Sequence, residues 1–240
     1  MTATPRTAPE GPAAMTDELA RRSRLDPLHE RLASRLREEI IKGWRPPGTA
    51  LGEVEVAAEF GVSRNPVREA VRVLEAEGFL VSRPGRGVIV ARIDEDEARG
   101  ILEVRANLET LIARSAAERR TEDQLAQLHR VMAAAEDAMT QGRLDELPAL
   151  NSEFHDLLAQ ASGNQVARRI IAGLMMKVAW MYSIDVGNRA PASWCEHGDL
   201  LKAIEAGDVE GADQLMCVHI ANATADFSLK YRRDPIEGLR

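Results

Sequence analysis

The segment from Leu51 to Val90 constrains this chain more than any other, because it sets helix, glycine turn, helix and basic hairpin in unbroken order. Residues 53–60 suit a short helix, and Gly61 stands where a tight turn needs a left-handed residue. A further helix begins at Ser63 and ends near Gly78. Val67, Val71 and Leu74 fall on one side of it and face a core. Strands are expected at Phe79–Ser82 and Val88–Ala91, around the turn residues Arg83-Pro84-Gly85-Arg86-Gly87. Ahead of this block, Leu28, Leu32, Leu36 and Ile40 recur every fourth residue, which predicts a helix from about Pro27 to Gly43 that Pro46-Pro47-Gly48 stops. The ensemble predicts a winged helix-turn-helix.

The chemistry of the second helix of that motif suits a nucleic-acid groove. Arg64, Asn65, Arg68 and Arg72 lie off the apolar stripe, the first three close to the N-terminus, where a recognition helix meets base edges. Arginine donates two bonds to guanine and asparagine pairs with adenine. Pro66 removes an amide donor from the first turn, which leaves the Ser63 hydroxyl to meet a phosphate. Arg86, beside Gly85 at the hairpin tip, is placed to reach a minor groove or the backbone. Arg72 is expected instead as a solvated charge paired with Glu69 or Glu75. The plainer alternative is a small helical domain with an exposed arginine face.

From Asp94 onward the pattern is helical throughout. Asp94 caps a helix to about Arg120, and Thr121 with Gln124 forms a capping box for the next, which ends near Gly142. Further helices are expected at about Leu144–Ala161, Gln165–Val186, Ser193–Ala206 and Val209–Arg232, separated by Ser162-Gly163-Asn164, Gly187-Asn188 with Pro191, and Ala206-Gly207-Asp208. Short loops between amphipathic helices predict an antiparallel bundle of six or seven helices. The fold class is therefore mainly α, with a leader at 1–24, a winged helix-turn-helix at 25–92, an all-helical domain at 93–233 and a tail at 234–240. The charge divides in the same way: residues 1–92 carry a net +2 and the remainder −9, within a total of −7. A mildly basic DNA module with an acidic companion accounts for that split. The leader lacks the apolar run of a signal peptide, and nothing in the chain approaches the ~18 apolar residues of a membrane span. Cys195 and Cys217 are too few for a disulfide framework and suit the reducing cytoplasm, each expected as a buried thiol.

Three of the five histidines belong to helices with apolar faces. Asn151 and His155 are four apart on one helix, His197 follows on another, and His219 lies mid-helix in the last, with Asn222 close after it. Taken singly, each histidine is ordinarily a core or surface residue. Together, three imidazoles and an amide oxygen would make a site for a borderline divalent ion such as zinc or nickel. His29 and His129 fit no such set. Met175, Met176, Trp180, Met181 and Tyr182 read as bundle core. We find no His-Glu-x-x-His, nucleophile elbow or phosphate loop, so an enzyme is the weaker class of reading.

The run Gly61-Val-Ser-Arg-Asn-Pro-Val-Arg-Glu-Ala, followed by Leu74-Glu-Ala-Glu-Gly78, closely resembles the DNA-binding domain of GntR-superfamily regulators, with Val71 where leucine is usual. The resemblance implies DNA contacts at Ser63, Arg64, Asn65, Arg68, Gly85 and Arg86. Val54 stands where some members carry a contacting arginine. The remainder is similar to the FadR-type effector domain called FCD, through Arg105 with Leu108-Glu109, Asn151 to His155, Glu196-His197 and His219. That resemblance implies metal ligands at Asn151, His155, His197 and His219, with an organic-acid effector met by Arg105 and, next to His219, Asn222. Many members have aspartate where Asn151 stands, and a neutral amide binds a cation less tightly. The function implied is a ligand-responsive transcriptional regulator, a repressor more often than an activator. It would act as a homodimer on a palindromic operator in double-stranded DNA. The alternative is a regulator for which the ion itself is the signal.

Overall fold

A computed structural model describes residues 27–182 and 186–233; the expected leader at 1–24 and tail at 234–240 lie outside the described residues. The chain divides between Arg92 and Ile93 into two compact units. The first contains α1 (Leu28–Ile41), α2 (Glu53–Phe60), α3 (Arg64–Ala76), β1 (Leu80–Arg83) and β2 (Gly87–Val90). The second contains α4 (Glu95–Arg119), α5 (Glu122–Thr140), a single 3-10 turn at Leu144–Glu146, α6 (Leu147–Ala161), α7 (Gln165–Tyr182), α8 (Val186–Ala206) and α9 (Val209–Arg233). Among the described residues the bundle thus has six α-helices, and none of them is long and apolar enough to cross a membrane.

In the first unit the apolar stripe of α1, Leu32, Leu36 and Ile40, is fully buried and packs on α3 through Val67, Ala70, Val71 and Leu74. Polar ties fix the angle of α3. Arg37 donates to both carboxylate oxygens of Glu77 just past its end, at 2.8 and 2.7 Å. Buried Glu39 accepts from Arg35 at 3.0 Å and from Arg45 at 2.7 Å, and Arg45 also reaches Glu59 of α2 at 2.6 Å. Gly61 ends α2 at φ +63, the left-handed value that closes the turn into α3. The two strands pair antiparallel from Leu80↔Val90 to Arg83↔Gly87. Their turn carries Pro84 and then Gly85 at φ +75, as a type II turn requires. Residues 48–51 lie along the hairpin edge, with Leu51 N donating to Val88 O and Val90 N donating to Thr49 O, both at 2.9 Å. That edge was not legible in the sequence, because its Pro-Gly and Thr-Ala residues carry no strand alternation.

In the second unit α4 touches α6, α7, α8 and α9 and forms the bundle axis. Both expected caps are present. Asp94 accepts from Glu97 N at 2.8 Å, and Thr121 and Gln124 exchange bonds at 3.3 and 2.9 Å. The boundaries around Pro191 differ: α7 ends at Tyr182 where Val186 was expected, and α8 begins at Val186 and carries Pro191 inside it, where a loop to Ser193 was expected. Near a helix start a proline forfeits a single amide bond, and the buried Ala190 and Trp194 on either side of it hold the turn against the core. Met175, Trp180 and Met181 are buried as expected and Met176 is half-buried, while the Tyr182 side chain lies outside the described residues.

A β-carbon added at Gly61 would meet nothing within 4 Å. Gly61→Ala should therefore cost only conformational energy, about 1 kcal/mol. Amide exchange across residues 53–76 should accelerate accordingly, and Gly61→Asn should recover part of the loss.

Candidate functional site

Two groups of residues carry chemistry, one in each unit. In the first unit, α3 buries one side and exposes the other. Ser63, Arg64, Asn65, Arg68 and Arg72 are all exposed, as are Gly85 and Arg86 at the wing tip. Ser63 is the N-cap residue in extended conformation and its side chain makes no capping bond. The third helical position is Pro66, which has no amide to donate, so the hydroxyl remains available. Arg68 is bound in a fork to the Glu53 carboxylate, Nε to Oε1 at 3.2 Å and Nη2 to Oε2 at 3.0 Å, and Arg64 Nη2 lies 3.5 Å from the same Oε2. The two cations lower the Glu53 carboxyl below its ordinary range, the Arg68 hydrogen bond contributing most. Asn65 donates to Glu69 at 3.4 Å, a long bond. Arg72 departs from expectation and pairs with neither glutamate among the described residues. Glu69 turns to His29 and Asn65, and Glu75 accepts from Ser82.

In the second unit, His155 of α6, His197 of α8 and His219 of α9 converge in the core, each no more than 2% exposed. One ring nitrogen from each lies within 4.8 Å of the others. Packing holds the rings in place: Phe154 stacks on His197 at 4.3 Å and 19°, and Trp194 meets the same ring edge-on. Carboxylates sit behind two of the three. Glu196 accepts from His219 Nδ1 at 2.7 Å, and Glu109 Oε1 lies 3.1 Å from His155 Nδ1. A carboxylate on Nδ1 turns Nε2 toward the centre as a lone-pair donor, as metal-bound histidines are usually held. Burial lowers His219 to about 4, with Arg105 and His155 adding to that and the bond from Glu196 opposing it. The ring is neutral at pH 7, the state a ligand needs.

The donor set fits a divalent ion. Two imidazole nitrogens held tetrahedrally at ~2.0–2.1 Å from zinc stand ~3.3 Å apart. His197 Nε2 and His219 Nε2 are separated by 3.3 Å. Asn151 is half-buried one turn before His155 and makes no side-chain hydrogen bond among the described residues.

Arg105 and Asn222 are less free than the sequence suggested. Arg105 is 1% exposed, donates through Nε to Glu109 at 2.9 Å, and lies 3.3 Å from His155 Nε2 through Nη2. Asn222 is exposed and donates to Glu196 at 2.8 Å. Sequence reasoning had not assigned roles to Glu109 and Glu196. The signal for Glu109 was its position four residues after Arg105, the spacing of a helical ion pair. Cys195 and Cys217 are exposed, not buried as expected. Each stands two residues before an inward histidine, about 200° around the helix and so toward solvent. His29 and His129 make surface contacts only, His129 with Glu205.

Comparison with known proteins agrees with both units. The pattern of the bacterial regulatory proteins of the gntR family matches residues 28–90, and that of the FCD domain matches residues 100–222. The HTH-type transcriptional repressor RspR of Escherichia coli K12 is 31% identical over 196 residues, spanning 81% of this chain and 86% of that protein. The HTH-type transcriptional regulator LutR of Bacillus subtilis is 27% identical over 208 residues, spanning 76% and 93%. Among solved structures, Escherichia coli McbR/YncC superposes with a TM-score of 0.76 at 21% identity, covering 86% of this chain and all of that one. A GntR regulator from Rhodococcus sp. RHA1 gives 0.72 at 20% identity, covering 83% and 96%. At these identities the two structures bear on the fold alone.

Burial by itself would raise the Glu109 carboxyl, but Arg105, followed by His155 and His219, outweighs it and lowers the group to about 2. A lowered carboxyl contributes stability that is whole above pH 4.5 and lost as pH falls toward 2. Glu109→Gln should cost about 3 kcal/mol at pH 7, as removal of one partner of a buried ion pair does. Denaturant titrations in steps from pH 5 to 2 should show that deficit shrinking as the parent itself loses the charge.

Proposed function

Because the chain belongs to the GntR family of bacterial transcriptional regulators and carries an FCD domain, we propose that it represses transcription by setting α3 into the major groove of an operator and that an ion-dependent carboxylate ligand controls it. The observation that carries the DNA reading is the exposed row Ser63, Arg64, Asn65 and Arg68 at the start of a helix whose opposite side is core. Arg64 and Arg68 read guanine, Asn65 reads adenine, Ser63 meets a phosphate, and Gly85 lets Arg86 approach the neighbouring groove or backbone. A homodimer would present two such helices to a palindromic site. The repressor sign is supported by RspR, a repressor by name. The site of action is the cytoplasm, where bacterial DNA lies. The chain is a regulator and not an enzyme.

A base contact of this type is worth ~1–3 kcal/mol. Arg64→Ala/Arg68→Ala should therefore weaken retention of the protein's own promoter fragment by about a hundredfold or more, with the fold intact by circular dichroism. Undiminished retention by the folded variant would remove the DNA reading.

In the second unit His155, His197 and His219 would hold the ion, with Asn151 as a weak fourth ligand. Arg105 and Glu109 offset each other, so a divalent ion beside Glu196 leaves the centre net positive and suited to a small carboxylate. Arg105 offers the ligand its remaining N–H groups, while Asn222 steadies Glu196. When bound, the ion supplies open positions that polarise and orient the acid. Allosteric coupling of the usual ~1–3 kcal/mol would change operator occupancy by severalfold to about a hundredfold. A regulator for which the ion alone is the signal remains the second reading, favoured by the completeness of the three-histidine set; chelation without added acid would then change DNA affinity.

Zinc or nickel at 100 times its dissociation constant should stabilise the parent by ~2.7 kcal/mol in thermal unfolding. His197→Ala should abolish that stabilisation. Asn151→Asp should tighten zinc binding by at least about tenfold, since a unit charge 4 Å from another is worth ~4 kcal/mol before the cost of its own desolvation. No zinc-dependent shift in the parent would remove the metal reading.

A further inference from the structure

One carboxylate engages both arginines assigned to base reading. Glu53 stands in the first turn of α2, where the helix N-terminus favours a negative charge. Its two oxygens take the Nε–Nη2 fork of Arg68 at 3.2 and 3.0 Å, and the second oxygen also lies 3.5 Å from Arg64 Nη2. Glu55, two residues on and more exposed, makes no ion pair with either arginine among the described residues. All three partners remain accessible to solvent, with side-chain exposures of 27% for Glu53, 47% for Arg68 and 61% for Arg64. Exposed pairs of this kind are weak, so a duplex can displace them.

The displacing group decides the outcome. A phosphate approaching Arg68 or Arg64 brings its negative charge against the Glu53 carboxylate. A guanine edge brings two neutral acceptors, O6 and N7, that match the same guanidinium fork, and the released carboxylate can accept from a cytosine N4 amino group. Phosphates occur at every step of any duplex, whereas a suitably placed guanine occurs only in a site. We propose that Glu53 is a specificity-determining residue, which denies Arg68 and Arg64 to phosphates and leaves them to a guanine edge. The inference rests on α3 being the helix that enters the groove.

The test uses the full chain and a mixed-sequence duplex without a selected site, titrated by fluorescence anisotropy across a salt series. Glu53→Gln should bind that duplex roughly three- to tenfold more tightly than the parent, the size of two exposed ion pairs. Its log–log salt dependence should steepen by about 0.9 per phosphate gained. Glu55→Gln, the same charge change on the same helix, should gain less than about twofold, since surface charge alone acts weakly. In an Arg64→Met/Arg68→Met background the gain from Glu53→Gln should vanish. Selection from a randomised duplex pool should yield a sharper guanine preference with the parent than with Glu53→Gln; Glu53→Ala repeats each measurement should the glutamine variant fold poorly. Equal gains at positions 53 and 55, a gain that survives loss of both arginines, or an unchanged guanine preference would each overturn the inference. If the Arg64→Ala/Arg68→Ala variant still holds the promoter fragment, the DNA reading itself has failed, which is a separate result.

Discussion

A guanidinium can stay inside a helical bundle only if a carboxylate goes in with it, and the second unit of this protein is arranged around that requirement. Arg105 is the largest fully buried side chain among the described residues, and it lies midway along α4, the helix that touches four others. Glu109 stands one turn further along the same helix, so the ion pair lies within α4 and its spacing needs no tertiary contact. The pair then reaches across to His155 from both ends, Arg105 at Nε2 and Glu109 at Nδ1. Buried ion pairs contribute little net stability against an apolar replacement, because desolvation offsets attraction. What this one does provide is position: it locks a histidine ring at a defined angle beside two others.

The same reasoning explains why the centre is polar at all. Phe154, Trp194 and the aliphatic faces of α6 and α8 would pack well around leucines. Three imidazoles in that setting are costly unless each nitrogen has a partner. Glu196 and Glu109 stand at the outer nitrogens of His219 and His155, and the inner nitrogens of His197 and His219 lie 3.3 Å apart, the spacing of two ligands on a tetrahedral ion. Two of the three rings thus carry a carboxylate on the outer nitrogen, as metal-bound histidines usually do, which favours the ligand reading over a merely hydrogen-bonded core.

The exposed face of α3 shows the opposite electrostatic regime. Its charges are solvated, its ion pairs are exposed, and the geometry is held from behind by the apolar stripe of α3 and by Arg37 on Glu77. In water, small differences between competing partners decide occupancy, so one acidic neighbour of two arginines can shape what they bind. In the core, pairs are made once and kept.

Much of the fold was legible because its signals are local. The stripe of α1, the Gly61 turn, the Asp94 cap and the Thr121–Gln124 box each act within a turn or two of helix, so spacing alone specifies them. The exposed row on α3 was legible for the same reason: a residue opposite a buried valine must face water. Where local rules compete with packing, reading from sequence failed. Pro191 signals a loop, yet α8 runs through it because Ala190 and Trp194 are anchored. The cysteines suggest burial by type, yet their phase relative to His197 and His219 turns them outward. Amino-acid order alone thus determined which helices form and which of their sides turn inward, since both follow from periodicity along a single segment. Only tertiary packing decided that His155, His197 and His219 meet, that Glu196 supports one of them, and that Glu53 engages both Arg64 and Arg68. Contacts between distant segments depend on how helices cross, and that angle is set by all the side chains at the crossing.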